Sequence, residues 1–182
     1  MDVTTLLLIL LVGAFATYFS GDKWAPKVAL LVGLTSFASA LCLLSQYNLG
    51  NEISYTQLWK KKKKIYLAFQ ADGLALAMLL LTTALTPIII FSSFGNTYKN
   101  SKAFYALIVF MSFAMSGTFL ASDGLLYYIF WELALIPIYF IALIWGNGDA
   151  EERKKAVVKF FIYTLAGSLF MLTGFVYLYL QA

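Results

Sequence analysis

No histidine occurs in this 182-residue chain, and cysteine occurs once, at Cys42. Zinc, haem and iron–sulfur centres need several imidazole or thiolate ligands, so this chain alone has almost no candidate ligands for a metal, and no cofactor-binding residues stand out. A lone thiol also excludes an internal disulfide; inside an apolar run it is expected to pack as a small apolar residue. Charge is scarce as well. Charged residues make up 12% of the chain and hydrophobic residues 62%, with a mean hydropathy of +0.81, far from the balance of a soluble domain. The thirteen Lys and Arg against nine Asp and Glu leave a net charge of +4. That excess is gathered in loops, a pattern of membrane sidedness rather than of nucleic-acid binding.

What remains is long apolar runs. A window of about 19 residues separates six of them, at 3–19, 28–44, 74–91, 103–121, 124–145 and 157–180. The reading is an all-α, polytopic membrane protein of six transmembrane helices in one domain, with a long loop at 45–72 and a shorter one at 146–156. The first run has no positive leader, since the chain opens Met1-Asp2, and is read as a retained helix, not a cleaved signal. Asp72 and Asp123 each begin the tripeptide Asp-Gly-Leu just before an apolar run. An aspartate there can accept from orphan N–H groups and complement the positive helix end, so both are expected to be caps.

Glu132 is the only acidic side chain inside a long apolar run, LLYYIFWELALIPIYFIALIW from Leu125 to Trp145. A helix starting at Gly124 puts it about 12 Å deep, near the middle of a hydrocarbon core about 30 Å thick. Ionisable groups at that depth mark ion paths or proton relays, or else stay neutral and hydrogen-bonded as packing elements. Pro137 removes an N–H and crowds the Leu133 carbonyl, predicting a bend beside the acid. Tyr128 and Tyr139 recur at helical spacing on the Glu132 face, as channel-lining hydroxyls or as space-filling rings. Pro87, in the run LTTALTP, predicts a second bend, with Thr82, Thr83 and Thr86 at hand for freed backbone groups. Lys159, at the mouth of the last helix, either snorkels to the headgroups or points inward as a charge partner of Glu132. Gly167, Ser168 and Gly174 form a small-residue surface suited to close helix contact.

Sidedness follows from basic residues. Lys23, Lys27, Lys99, Lys102, Arg153, Lys154, Lys155 and Lys159 belong to the side reached after spans one, three and five, which is expected to be cytoplasmic, with the N-terminus outside. The run Lys60 to Lys64 sits on the other side, as a solvated loop or as a basic strip along the amphipathic stretch 55–67 on the membrane surface.

The segment FWELALIPIYFIALIWG, with ADGLALAML upstream and KFFIYTLAGSLFML downstream, resembles the antiporter-like subunit M of proton-pumping NADH:quinone oxidoreductase, respiratory complex I, the counterpart of mitochondrial chain 4. The resemblance runs from about Phe69 to Leu180. The Trp-Glu core is shared with sister antiporter-like subunits and with multisubunit sodium/proton antiporters; the continuation Leu-Ile-Pro-Ile-Tyr and the trailing Trp-Gly favour subunit M. In that family a glutamate on the fifth helix pairs with a lysine on the seventh in half of a proton channel. Carried over by motif, Glu132 is that acid. The family has about fourteen helices with inverted repeats, so the sequence resembles an N-terminal portion, a truncated product or one piece of a split subunit. A histidine that often follows Trp-Gly is replaced here by Asn147.

The resemblance implies a membrane-arm subunit in a bacterial inner membrane, with a mitochondrial location less favoured. Its partners would be other membrane-arm subunits, lipid and a second chain carrying helices seven onward. FMN and iron–sulfur clusters would lie in other subunits, with NADH and quinone as substrates of the whole complex. Two alternatives stand beside it: a subunit of a sodium/proton antiporter working without NADH, and a structural membrane piece with an inert Glu132.

Overall fold

The computed structural model describes residues 2–48, 54–60, 65–96 and 98–181. Its element order is α1 (Val3–Phe19), α2 (Ala25–Asn48), β1 (Ser54–Lys60), β2 (Ile65–Gln70), α3 (Gly73–Ser92), α4 (Ser101–Leu120), α5 (Gly124–Trp145) and α6 (Ala150–Gln181). Five helices are long and apolar enough to cross a membrane; α1, at 17 residues, is a shorter apolar helix. The chain is a multi-pass membrane protein.

Several expectations change, the first being that α2 runs on to Asn48, into the loop expected at 45–72. The loop at 45–72 carries an antiparallel hairpin, with Ser54 opposite Gln70 and an irregularity between Leu58 and Lys60, so the fold is not purely α. Lys60 closes β1, while Lys61 to Lys64 lie outside the described residues. The stretch expected as a basic strip at 55–67 is therefore strand wherever it is described. The last helix also begins earlier than its apolar run, at Ala150 instead of 157. Glu151 and Glu152 occupy its first turn, where carboxylates complement the positive helix end. These solvated turns carry no hydropathy signal.

α4 is the hub. It packs against α1, α2, α3 and α5, and 67% of its most apolar stretch is buried, against 11% for α6. α6 leans on α5, leaving large apolar side chains such as Phe160, Phe170 and Tyr179 exposed. Such a face suits lipid or further helices rather than water. Cys42 is also exposed, on the outer surface of α2, and does not pack inside the chain as expected.

Most hydroxyls within the bundle are paired locally, although Ser116 Oγ on α4 is buried without a partner among the described residues. Thr83 Oγ1 donates to the Leu79 carbonyl at 2.8 Å, and Thr82 Oγ1 to that of Met78 at 2.9 Å. Thr86 Oγ1 reaches both the Thr82 carbonyl at 2.8 Å and Ser112 Oγ on α4 at 3.0 Å. The threonines thus serve carbonyls one turn upstream, not the Thr83 carbonyl that Pro87 leaves without an amide partner. Helices α3 and α5 both run on through their prolines.

The loops after α1, α3 and α5 meet at one end. The Lys102 amide donates to Asp22 Oδ1 at 2.9 Å, and Trp145 Nε1 donates to the Lys99 carbonyl at 3.0 Å. At the opposite end, the Ser122 amide donates to the Ala68 carbonyl at 2.9 Å, and Phe69 bridges Ala121. The hairpin is thereby fixed to the α4–α5 junction.

Candidate functional site

α5 is held in place at both ends and along its side. At its head, Asp123 Oδ1 accepts from the Leu125 and Leu126 amides at 2.9 and 3.2 Å. Asp72 does the same at the head of α3, accepting from the Ala75 amide at 2.7 Å. At its foot, Arg153 wraps the last turn: Nε donates to the Leu143 carbonyl at 2.9 Å, and Nη1 to those of Gly146 at 2.9 Å and Gly148 at 3.2 Å. The planar guanidinium fits this work, because it offers several donors in a fixed fork and its charge meets the negative helix end. In sequence Arg153 reads only as a sidedness marker; its clamp depends on a turn whose shape is not visible there. Along its side, Phe130 meets Phe113 at 5.5 Å and Phe69 at 5.9 Å between ring centroids.

The face of α5 opposite Phe130 carries Tyr128, Glu132 and Tyr139, which recur at intervals of a turn or two turns. This face looks towards α6. Within it the Tyr139 ring lies 5.1 Å from that of Phe161; Tyr127, on the flank of the same helix, lies 6.4 Å from Phe175. Glu132 is half-buried, and its Oε1 is fully enclosed without a hydrogen-bond partner among the described residues. A buried polar atom left unmatched costs about 1–3 kcal/mol, and more if charged. Tyr139 is engaged as a ring against Phe161 and Phe140; Tyr128 is half-buried one turn from the acid. Pro137 is buried within the same helix.

Lys159 does not join this group. Its side chain is exposed, and the ion pair found among the described residues is Lys155 with Glu151, at 3.8 Å on the surface. The geometry explains the separation. Counting along the helices from the connecting turn, Glu132 lies about 20 Å along α5 and Lys159 about 14 Å along α6. Lys159 also falls off the seam through Val157, Phe161, Thr164 and Ser168 by which α6 meets α5. Gly167 and Gly174 face open space, with nothing within 4 Å of where a Cβ would stand. The small-residue contact expected there is not made among the described residues, although Ser168 between them is buried.

Two cavities lie away from the acid. One of about 390 Å³ opens at the basic end beside Asp22, Lys27, Asn96 and Tyr98. The other, about 490 Å³, is an apolar groove between α2 and α3 lined by Leu30, Leu34, Phe37 and Pro87. Glu132 borders neither.

Residues 121–182 match the family described as NADH:quinone oxidoreductase/Mrp antiporter, transmembrane. The chain is 33% identical over 184 residues to NADH-ubiquinone oxidoreductase chain 4 of Mycosarcoma maydis, covering 97% of this chain and 38% of that one. It is 31% identical over 186 residues to NADH-quinone oxidoreductase subunit M of Rickettsia prowazekii, covering 98% and 37%. To F(420)H(2) dehydrogenase subunit M of Methanosarcina mazei it is 32% identical over 175 residues, covering 93% and 34%. The chain therefore spans little more than a third of the length of these relatives. A chain of the membrane-bound sulfane sulfur reductase, an archaeal respiratory membrane complex, shares its fold: TM-score 0.81 at 18% identity, over 94% of this chain and 36% of that one.

Proposed function

We propose, from a chain related along nearly its whole length to part of the antiporter-like subunit M or chain 4 of respiratory NADH:quinone oxidoreductases, that it serves in proton translocation in the membrane arm of such a complex. The complex would couple electron transfer from NADH to quinone with proton movement. FMN and iron–sulfur clusters would belong to its other subunits, and this chain would supply proton-handling residues rather than a redox centre. The single observation that carries the reading is the enclosed, unmatched Oε1 of Glu132 within an apolar helix. An ionisable group at this depth in an apolar helix is costly to keep unless it serves an ion path or a proton relay.

In this reading α1 counts as a sixth span, because its 17 residues reach the lower limit for crossing the hydrocarbon. The basic end formed by the loops after α1, α3 and α5 is cytoplasmic, and the N-terminus is outside, in a bacterial inner membrane. The exposed face of α6 is where further helices of the assembly, the source of a cation for Glu132, would dock. A second reading, sodium/proton exchange, draws on the family description, which spans both classes of complex.

The test is Glu132→Gln in the assembled complex, with proton pumping and NADH oxidation followed together. Loss of pumping supports the role; unchanged pumping and NADH oxidation remove the residue from the mechanism. Purifying the native assembly through this chain separates the two readings: NADH:quinone activity in the purified material favours the first, and sodium-dependent exchange without it favours the second.

A further inference from the structure

Ser168 is one of two buried residues on α6 among the described residues, the other being Val157. Its place opposite α5 follows from two ring contacts. Tyr139 meets Phe161 and Tyr127 meets Phe175, which fixes the antiparallel register of the pair. Stepping two turns up α5 from Tyr139 reaches Glu132; stepping two turns along α6 from Phe161 reaches Ser168. Seven residues are nearly two whole turns, so each step keeps to its own face, the one turned towards the other helix. Counting back two turns from Phe175 arrives at Ser168 again. The acid and the hydroxyl therefore stand at one depth, on facing surfaces of two packed helices.

Their hydrogen bonding is incomplete in a complementary way. Ser168 Oγ is 4% exposed as a residue and donates to the Leu165 carbonyl, one turn back on its own helix, at 2.9 Å. Glu132 Oε1 is enclosed and accepts nothing among the described residues. A serine back-bonded to its own helix has an exchangeable donor, since that carbonyl already serves the helix ladder and the hydroxyl can rotate. An ionised carboxylate accepts a hydroxyl proton more strongly than a carbonyl does.

We propose that Ser168 is a positioning residue for Glu132. When the carboxyl group is ionised, the Ser168 hydroxyl turns from the Leu165 carbonyl to donate to Oε1, directly or through one bridging water; when the acid takes up its proton, the hydroxyl returns to Leu165. No covalent bond changes. The serine lends a donor that stabilises one protonation state and withdraws it in the other. Its place in proton transfer rests on the reading of Glu132 given above; the contact itself rests on the register of α5 and α6.

The experiment uses the assembled complex and infrared difference spectroscopy, with the Glu132 carboxyl band identified by its disappearance in Glu132→Gln. In Ser168→Ala, the ratio of neutral to ionised Glu132 at fixed pH should rise about tenfold, the worth of one hydrogen bond to a charged acceptor, and the band should change frequency. Ser168→Thr keeps the hydroxyl and should restore both. Ser168→Cys, close in volume but a weak donor, should move both in the direction of the alanine variant and carries the test where alanine fails to assemble. A band that stays in place in both the alanine and cysteine variants overturns the proposal. A shifted band with normal pumping in Glu132→Gln supports the contact and overturns the transport reading; an unmoved band with pumping lost in Glu132→Gln overturns the contact alone.

Discussion

The ring of Phe130 occupies the space where a side chain on Gly117 would stand: a Cβ built on that glycine would collide with three atoms of the ring. α4 has given up a side chain so that the α5 aromatic can lie against its backbone. Gly117→Ala should therefore push Phe130 out of its place between Phe113 and Phe69. Overpacking of this kind costs about 1–3 kcal/mol. Thermal unfolding of the purified protein in detergent should show a lowered midpoint, and pairing the change with Phe130→Leu should recover part of it. An unaltered midpoint for Gly117→Ala would mean that the ring has room to move.

Arg153 should resist conservative replacement. A lysine keeps the charge but offers one compact ammonium where the guanidinium reaches three carbonyls from two of its nitrogens. We expect Arg153→Lys to lose about 1–2 kcal/mol, close to the loss in Arg153→Ala. Hydrogen exchange of the amides in the α5–α6 turn measures this directly: both variants should exchange faster there, with little change at the head of α5.

The cap at the other end of α5 predicts the reverse tolerance. Asp123→Asn retains the accepting oxygen and should be nearly neutral, whereas Asp123→Ala leaves the Leu125 and Leu126 amides without it and costs about 1 kcal/mol. A denaturation series on the three proteins should place the asparagine variant beside the parent. Equal losses for both would show that the charge, not the hydrogen bond, matters.

Lys159→Gln should leave proton pumping where it is. The side chain is exposed on α6, off the seam that meets α5, and short of the depth of Glu132. Pumping that fell in this variant as far as in Glu132→Gln would contradict the separation described above.

Much of the helical plan was legible, for a physical reason: a segment that crosses hydrocarbon must satisfy its own backbone, so apolar length reports helix length. The expected bounds of the fifth helix, 124–145, match α5, and those of the first match α1. Hydropathy fails where a helix leaves the apolar region, which is why α6 reaches back through Glu151 and Arg153 to Ala150. The hairpin is hidden in sequence because the lysine run between its strands interrupts the alternation that marks a strand. At the site, Glu132 stands out by chemistry alone, since one acid in a long apolar run has few explanations. The direction of Lys159, the clamp by Arg153 and the placing of Ser168 opposite the acid all depend on helix rotation and register. Those are set by contacts between helices, which no single segment encodes.

The attachment of the hairpin to Ser122 and Ala121 has a mechanical consequence. Ser122 directly precedes the cap of α5, so a neighbour gripping the strands would hold a handle bolted to the helix that carries the acid. Tugging or twisting that handle would be delivered to Glu132 about 14 Å away along a stiff rod, without any wire of polar groups between them.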